Sequence, residues 1–143
     1  MNFIQQFFGS DKTGPDKINF EDVQHAIQYS NEYLIINTLP LTEQDILIQG
    51  TIRGFQEEHI INEMLTKSNV PDKKVVLYGK HANDETTLKK YKQFISLGIA
   101  DVFIYSGGLF EWLLLQDIYG EKSFPTTKKT LDLLKYRPEK KMS

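Results

Sequence analysis

The sequence predicts an α/β fold in which a mostly parallel sheet is flanked by helices. Three observations lead there. Segments with apolar spacing of three and four alternate with short β-branched runs bounded by turn residues. The runs YLIIN (33–37), KVVLY (74–78) and VFIY (102–105) are apolar at almost every position, as strands covered on both faces should be. The length of 143 residues is that of one domain with its own core.

Taken in order, Asn2 to Phe8 is an amphipathic piece with Phe3, Ile4, Phe7 and Phe8 on one side, and it stops at Gly9. Residues 10–17 (SDKTGPDK) read as a loop, and Ile18 and Phe20 are assigned to a short edge strand. Glu21 to Tyr29 carries Val23, Ala26 and Ile27 at helical spacing. YLIIN is ended by Thr38, Leu39 and Pro40, and Ile46 to Ile48 is predicted as a further short strand, with Gly50 and Gly54 at its exit. Gln56 to Lys67 is helical: Ile60, Ile61, Met64 and Leu65 make one stripe, and Glu57, Glu58 and Glu63 point outward. KVVLY is the clearest strand. Gly79 to Asn83 turns, Asp84 to Leu97 is a long helix, and Gly98 sits where a helix C-cap belongs. VFIY is the last strand, which brings the expected sheet to five. Ser106, Gly107 and Gly108 then lead into the very apolar helix LFEWLLLQ.

Composition excludes more than it assigns. With 40% hydrophobic and 25% charged residues the chain is ordinary globular material, not a disordered one. No apolar run approaches the ~20 residues that span a bilayer, so no membrane association is expected. The start MNFIQQFFGSDK lacks a basic region followed by a long apolar stretch, so no secretory signal is expected and the protein is placed in the cytoplasm. There is no cysteine. That removes disulfide scaffolds, thiolate zinc sites, iron–sulfur clusters and every thiolate nucleophile. Net charge is −2, but Lys128, Lys129, Lys135, Arg137, Lys140 and Lys141 against Asp132 and Glu139 put +4 on residues 128–143, leaving −6 elsewhere. A solvated basic tail on an acidic body follows. The chain thus divides into an N-terminal amphipathic segment and loop (1–17), a central domain (18–127) and the tail (128–143).

Candidate chemistry is sparse. His25 has no partner at ligand spacing, and His59 with Glu63 is an ordinary i,i+4 pair, since two ligands are not a metal site. No nucleophile elbow, Walker loop or G-x-G-x-x-G is present, so no cofactor and no metal are expected. The aromatic residues lack interleaved arginines, which argues against nucleic acid. Trp112 is assigned to the core. Phe110 and the N-terminal Phe3, Phe7 and Phe8 are the candidates for an interface with another protein, a second copy included.

In parallel sheets chemistry collects at the carboxyl ends of strands, so the loop after KVVLY is the first place to look. There, and from about Ile18 to Tyr119, the chain resembles a rhodanese-like domain, the sulfurtransferase fold. YLIIN followed by TLP is similar to the family's strand ending in an acidic residue, and LIQGTI to its H-I-P-G-A-I segment. KVVLYG with its loop and helix resembles the active-site strand and loop. LGIADVFIYSGGLFEW, with Gly107, Gly108 and Trp112, resembles the late glycine-pair and tryptophan motif, the most specific of the matches. The resemblance implies a three-layer sandwich around the five-stranded sheet.

The departures are as informative. By that resemblance the nucleophilic cysteine would stand at Gly79, an arginine near Asp84, the strand-ending acid at Asn37 and a second arginine at Leu39. Glycine has no side chain to hold sulfur, so the catalytic set is lost as a group. The degenerate loop is Gly79, Lys80, His81, Ala82, Asn83, Asp84 and Glu85. Asp84 as helix N-cap and Glu85 in the first turn would satisfy donors that otherwise hold an anion. The resemblance therefore implies a non-enzymatic binding, regulatory or structural module. It is also similar to versions carried by large DNA viruses, which implies a virion-associated or host-cytoplasmic setting. The alternative is different chemistry, or small-anion binding, at Lys80, His81, Asn83 and Asp84.

Overall fold

The computed structural model describes residues 14–67 and 73–142. Phe3, Phe7 and Phe8, assigned above to an interface, lie outside the described residues. Four strands, β1 (Asp16–Ile18), β2 (Tyr33–Asn37), β3 (Lys74–Tyr78) and β4 (Val102–Tyr105), form one sheet in the order β1-β4-β3-β2. Every neighbouring pair is parallel. Four helices connect and cover them: α1 (Phe20–Gln28), α2 (Gly54–Thr66), α3 (Glu85–Ser96) and α4 (Gly108–Tyr119).

The strict alternation of strand side chains sorts the core into two layers. Ile35, Val76, Tyr78 and Tyr105 point to the face covered by α1 (Val23, Ala26) and α4 (Leu109, Trp112, Leu113). Leu34, Ile36, Val75, Leu77, Val102 and Ile104 point to the other face, covered by α2 (Ile61) and α3 (Phe94). Three layers result, with helices on both sides of a buried parallel sheet.

Two sequence expectations need correction. The sheet of the described residues has four strands, not five, because Ile46–Ile48 forms no strand. Its place at the edge beside β2 is reduced to single bridges, Ile35 with Thr51 and Ile48 with Thr126. Gly50, at φ 89°, turns the chain between these bridges, and α2 begins at Gly54, so no run is long enough to ladder. All three Ile46–Ile48 side chains are nevertheless buried, which explains why the segment looks strand-like in sequence. Second, the edge strand lies at Asp16–Ile18, and Phe20 opens α1 instead. The cause is Asn19, whose carboxamide oxygen accepts from the Glu21 and Asp22 backbone N–H groups in a capping box with Asp22.

The basic tail is not wholly solvated. A 3₁₀ turn at Leu133–Tyr136 inserts Tyr136 into the α1/α4 layer at 0% exposure. Phe124 lies in the same cluster, so residues beyond α4 complete this face of the core.

Candidate functional site

The ends of β2, β3 and β4 stand abreast, with Asn37 in register with Tyr78 and Tyr78 with Tyr105. Their three following loops therefore meet at one end of the sheet. The loop after β3 is held from both sides. Its Gly79 and Lys80 carbonyls accept the Leu109 and Phe110 backbone N–H groups, each at 2.9 Å, so the first turn of α4 is bonded to the loop. Gly108, at φ 69°, makes this approach feasible: a Cβ there would lie 2.8 Å from the Gly79 carbonyl oxygen and 2.9 Å from the His81 nitrogen.

Within the loop Asp84 caps α3. Its two carboxylate oxygens accept from the Lys80 N–H at 2.8 Å and the Thr86 N–H at 3.0 Å. These are the donors that would otherwise face an anion. Three threonines extend from Asp84 as a hydrogen-bonded chain. Thr86 Oγ1 lies 2.6 Å from Asp84 Oδ1 and 2.9 Å from Thr38 Oγ1, and Thr38 Oγ1 lies 3.1 Å from the hydroxyl of buried Thr87. Two members of this network, Thr87 and Asp84, take the space over Gly79. A Cβ on Gly79 would run into Thr87 Oγ1 and stand 2.6 Å from Asp84 Oδ2.

The other candidate residues are divided rather than gathered. Asn37 is buried and its side-chain oxygen accepts the Leu39 N–H at 3.0 Å, an internal turn contact. Asn37 and Leu39 border an open depression of about 380 Å³ that also meets Glu57 and Lys90, and these two pair at 2.6 Å. His81, Ala82, Asn83, Asp84 and Glu85 border a second depression of about 530 Å³ near Tyr105 and Lys141. His81 Nδ1 accepts the Asn83 N–H at 3.1 Å. Lys80 turns to a third hollow and pairs with Glu43 at 3.1 Å.

Trp112 is fully buried, donates from Nε1 to the Pro125 carbonyl at 3.1 Å and meets Tyr105 and Phe124 edge to face. Phe110 is half-buried against the same cluster. His25 stacks beside Tyr29 and Tyr33, while exposed His59 reaches Glu63 at 3.1 Å. Among the described residues no group of three His, Cys, Asp or Glu is placed to hold a metal ion, and no helix is long and apolar enough to cross a membrane.

Sequence reasoning missed the threonines and the buried tyrosines. Tyr78 Oη accepts the Ile48 N–H at 3.1 Å and lies 2.8 Å from Thr51 Oγ1. Burial pushes its phenol well above the ordinary range, and burial with the neighbouring Glu111 carboxylate does the same at Tyr105. The Tyr136 hydroxyl is buried without a hydrogen-bond partner among the described residues, whereas the buried Tyr105 hydroxyl faces the Glu111 carboxylate. No spacing rule could find Thr38 with Thr86 and Thr87, since they are 48 and 49 residues apart.

A family model, the rhodanese-like domain, matches residues 14–115. Solved structures with the same fold include a full-length protein from Lactobacillus plantarum, 15% identical, covering 88% of this chain and 93% of that one at a TM-score of 0.55. A protein from Bacillus halodurans is 19% identical, with 83% and 84% covered and a TM-score of 0.56. A thiosulfate sulfurtransferase from Pseudomonas aeruginosa is 18% identical at a TM-score of 0.55, matching 78% of this chain but 21% of its own. Comparison with curated proteins finds no match.

Proposed function

The chain belongs to the rhodanese-like domain family, and from that premise we propose that it is a member without sulfurtransferase activity that works as a binding or regulatory module. One observation carries the reading: the space in which a Gly79 side chain would start is taken by Thr87 and Asp84. A missing cysteine removes the nucleophile; a filled pocket also removes the room for substrate sulfur and for its anion. The partner we propose is a protein, a second copy of the chain included, and the setting is cytoplasmic, or a virion or its host cell if the viral likeness holds. The opposing reading, new chemistry at Lys80, His81, Asn83 and Asp84, has little to work with. Asp84 already accepts two backbone donors, Lys80 is paired with Glu43, and His81 Nδ1 holds the Asn83 N–H.

The test is to assay purified protein for sulfur transfer from thiosulfate to cyanide and for phosphomonoester hydrolysis. Neither should exceed the buffer rate. Turnover in either assay, if lost in a His81→Ala or Lys80→Ala variant, would hand the site to the opposing reading.

A further inference from the structure

Beside the closed loop the tail builds a second, cationic feature outside the family match. Lys135, Arg137 and Lys140 line a hollow of about 300 Å³ together with Lys80, Pro138 and Glu139. Lys80 is matched by Glu43. Lys135, Arg137 and Lys140 form no ion pair among the described residues. Arg137 donates from one guanidinium nitrogen to the Leu134 carbonyl at 2.8 Å, and among the described residues its other N–H groups have no partner. These cations are not on a loose end. Lys135 and Arg137 bracket Tyr136, which at 0% exposure pins the 3₁₀ turn to the core and fixes where the two emerge.

Lys135, Arg137 and Lys140 border one hollow and repel one another; Glu139 in the hollow opposes them, and the Glu43 and Asp45 carboxylates act from the side of Tyr136. An oxyanion of charge near −2 relieves that repulsion, and a guanidinium fork binds such an oxyanion bidentately. The hollow lies at the small end of ligand sites, which run from about 300 Å³ upward. The rest of the chain carries a net −6, which repels an extended polyanion such as nucleic acid. We propose that this hollow is a binding site for a small phosphate-bearing ligand, built by Lys135, Arg137 and Lys140 at the flank of the former active-site loop. The site stands on its own charges and does not require the function proposed above.

The experiment is a calorimetric titration of the full chain with inorganic phosphate, and with phenyl phosphate, in chloride buffer at constant ionic strength. The expected result is saturable binding in roughly the millimolar range or tighter. The Lys135→Gln/Arg137→Gln pair should weaken it about tenfold or more. The Lys128→Gln/Lys129→Gln pair removes the same charge from the same tail outside the hollow and should change it less than about twofold. Absence of saturable binding to wild-type protein overturns the proposal. Equal weakening by the two pairs also overturns it, because binding would then follow net charge alone. Binding of a polyglutamate peptide without binding of phosphate overturns it in favour of an acidic protein partner.

Discussion

The Gly79 carbonyl and the Leu109 backbone N–H are joined at 2.9 Å, so the loop after β3 and the N-terminus of α4 form one unit. That junction decides which substitutions the loop end of the sheet tolerates.

Gly108 is the tightest point. Alanine there must hold φ 69° and press its Cβ against backbone atoms that cannot rotate away. Gly108→Ala should therefore cost at least about 2 kcal/mol. Gly98→Ala, at φ 96° with open space around it, should cost only about 1 kcal/mol. Urea denaturation of the two variants gives the comparison.

A thiol introduced at Gly79 should not make a catalyst. Gly79→Cys places a Cβ against Thr87 and Asp84, and overpacking of this kind costs about 1–3 kcal/mol. Adding Thr87→Ala should return part of that loss, giving a non-additive double-mutant cycle. Sulfur transfer by the single variant should stay at the buffer rate; a rate above it would show the pocket to be open.

The three buried tyrosines should separate under deletion of their hydroxyls. Tyr78→Phe leaves the Ile48 N–H and the Thr51 hydroxyl without their partner and should lose about 1–3 kcal/mol. Tyr136→Phe removes a buried hydroxyl that has no partner among the described residues, so stability should hold or rise, and Tyr105→Phe, whose hydroxyl faces the Glu111 carboxylate, should fall between the two. Chemical denaturation of the three, side by side, checks the order.

Alkali should unfold the protein for the same reason. The Tyr78 and Tyr105 phenols ionise well above the ordinary value of 10.0 in the folded state, because burial disfavours the phenolate. Below that value both states keep the proton, and these groups leave stability unchanged. Above it the unfolded chain releases protons that the folded chain retains, so stability falls by about 1.4 kcal/mol per pH unit for each phenol. Denaturant midpoints measured from pH 8 to 11 should be flat and then drop (both limits roughly bracket the ordinary tyrosine pKa). Tyr105→Phe should make the drop shallower.

Asp84→Ala should loosen the loop. It strips acceptors from the Lys80 and Thr86 N–H groups and should cost about 1–2 kcal/mol, whereas Asp84→Asn keeps a capping oxygen and should cost less. Thermal melts rank the two.

What was legible in the sequence was what local chemistry dictates. KVVLY and VFIY appear as strands at the predicted residues, because continuous β-branched and aromatic runs have no exposed face to offer. Asp84 before Glu85 announced its cap, and Gly98, at φ 96°, the end of α3. Ile46–Ile48 was misleading because burial and strand pairing are separate properties: its side chains enter the core while its backbone makes only an isolated bridge.

The alternation of apolar runs was enough by itself to define a parallel sheet between helices, and the absence of cysteine to exclude a thiol nucleophile. Tertiary structure alone decided that Thr87 and Asp84 take the space over Gly79, that Tyr136 draws the basic tail into the core, and that Lys135 and Arg137 border one hollow with Lys80. Those outcomes depend on residues far apart in the chain, such as Thr38 with Thr87, which meet only once loops converge at one sheet end, and Lys80 with Arg137, which border one hollow only once the tail folds back.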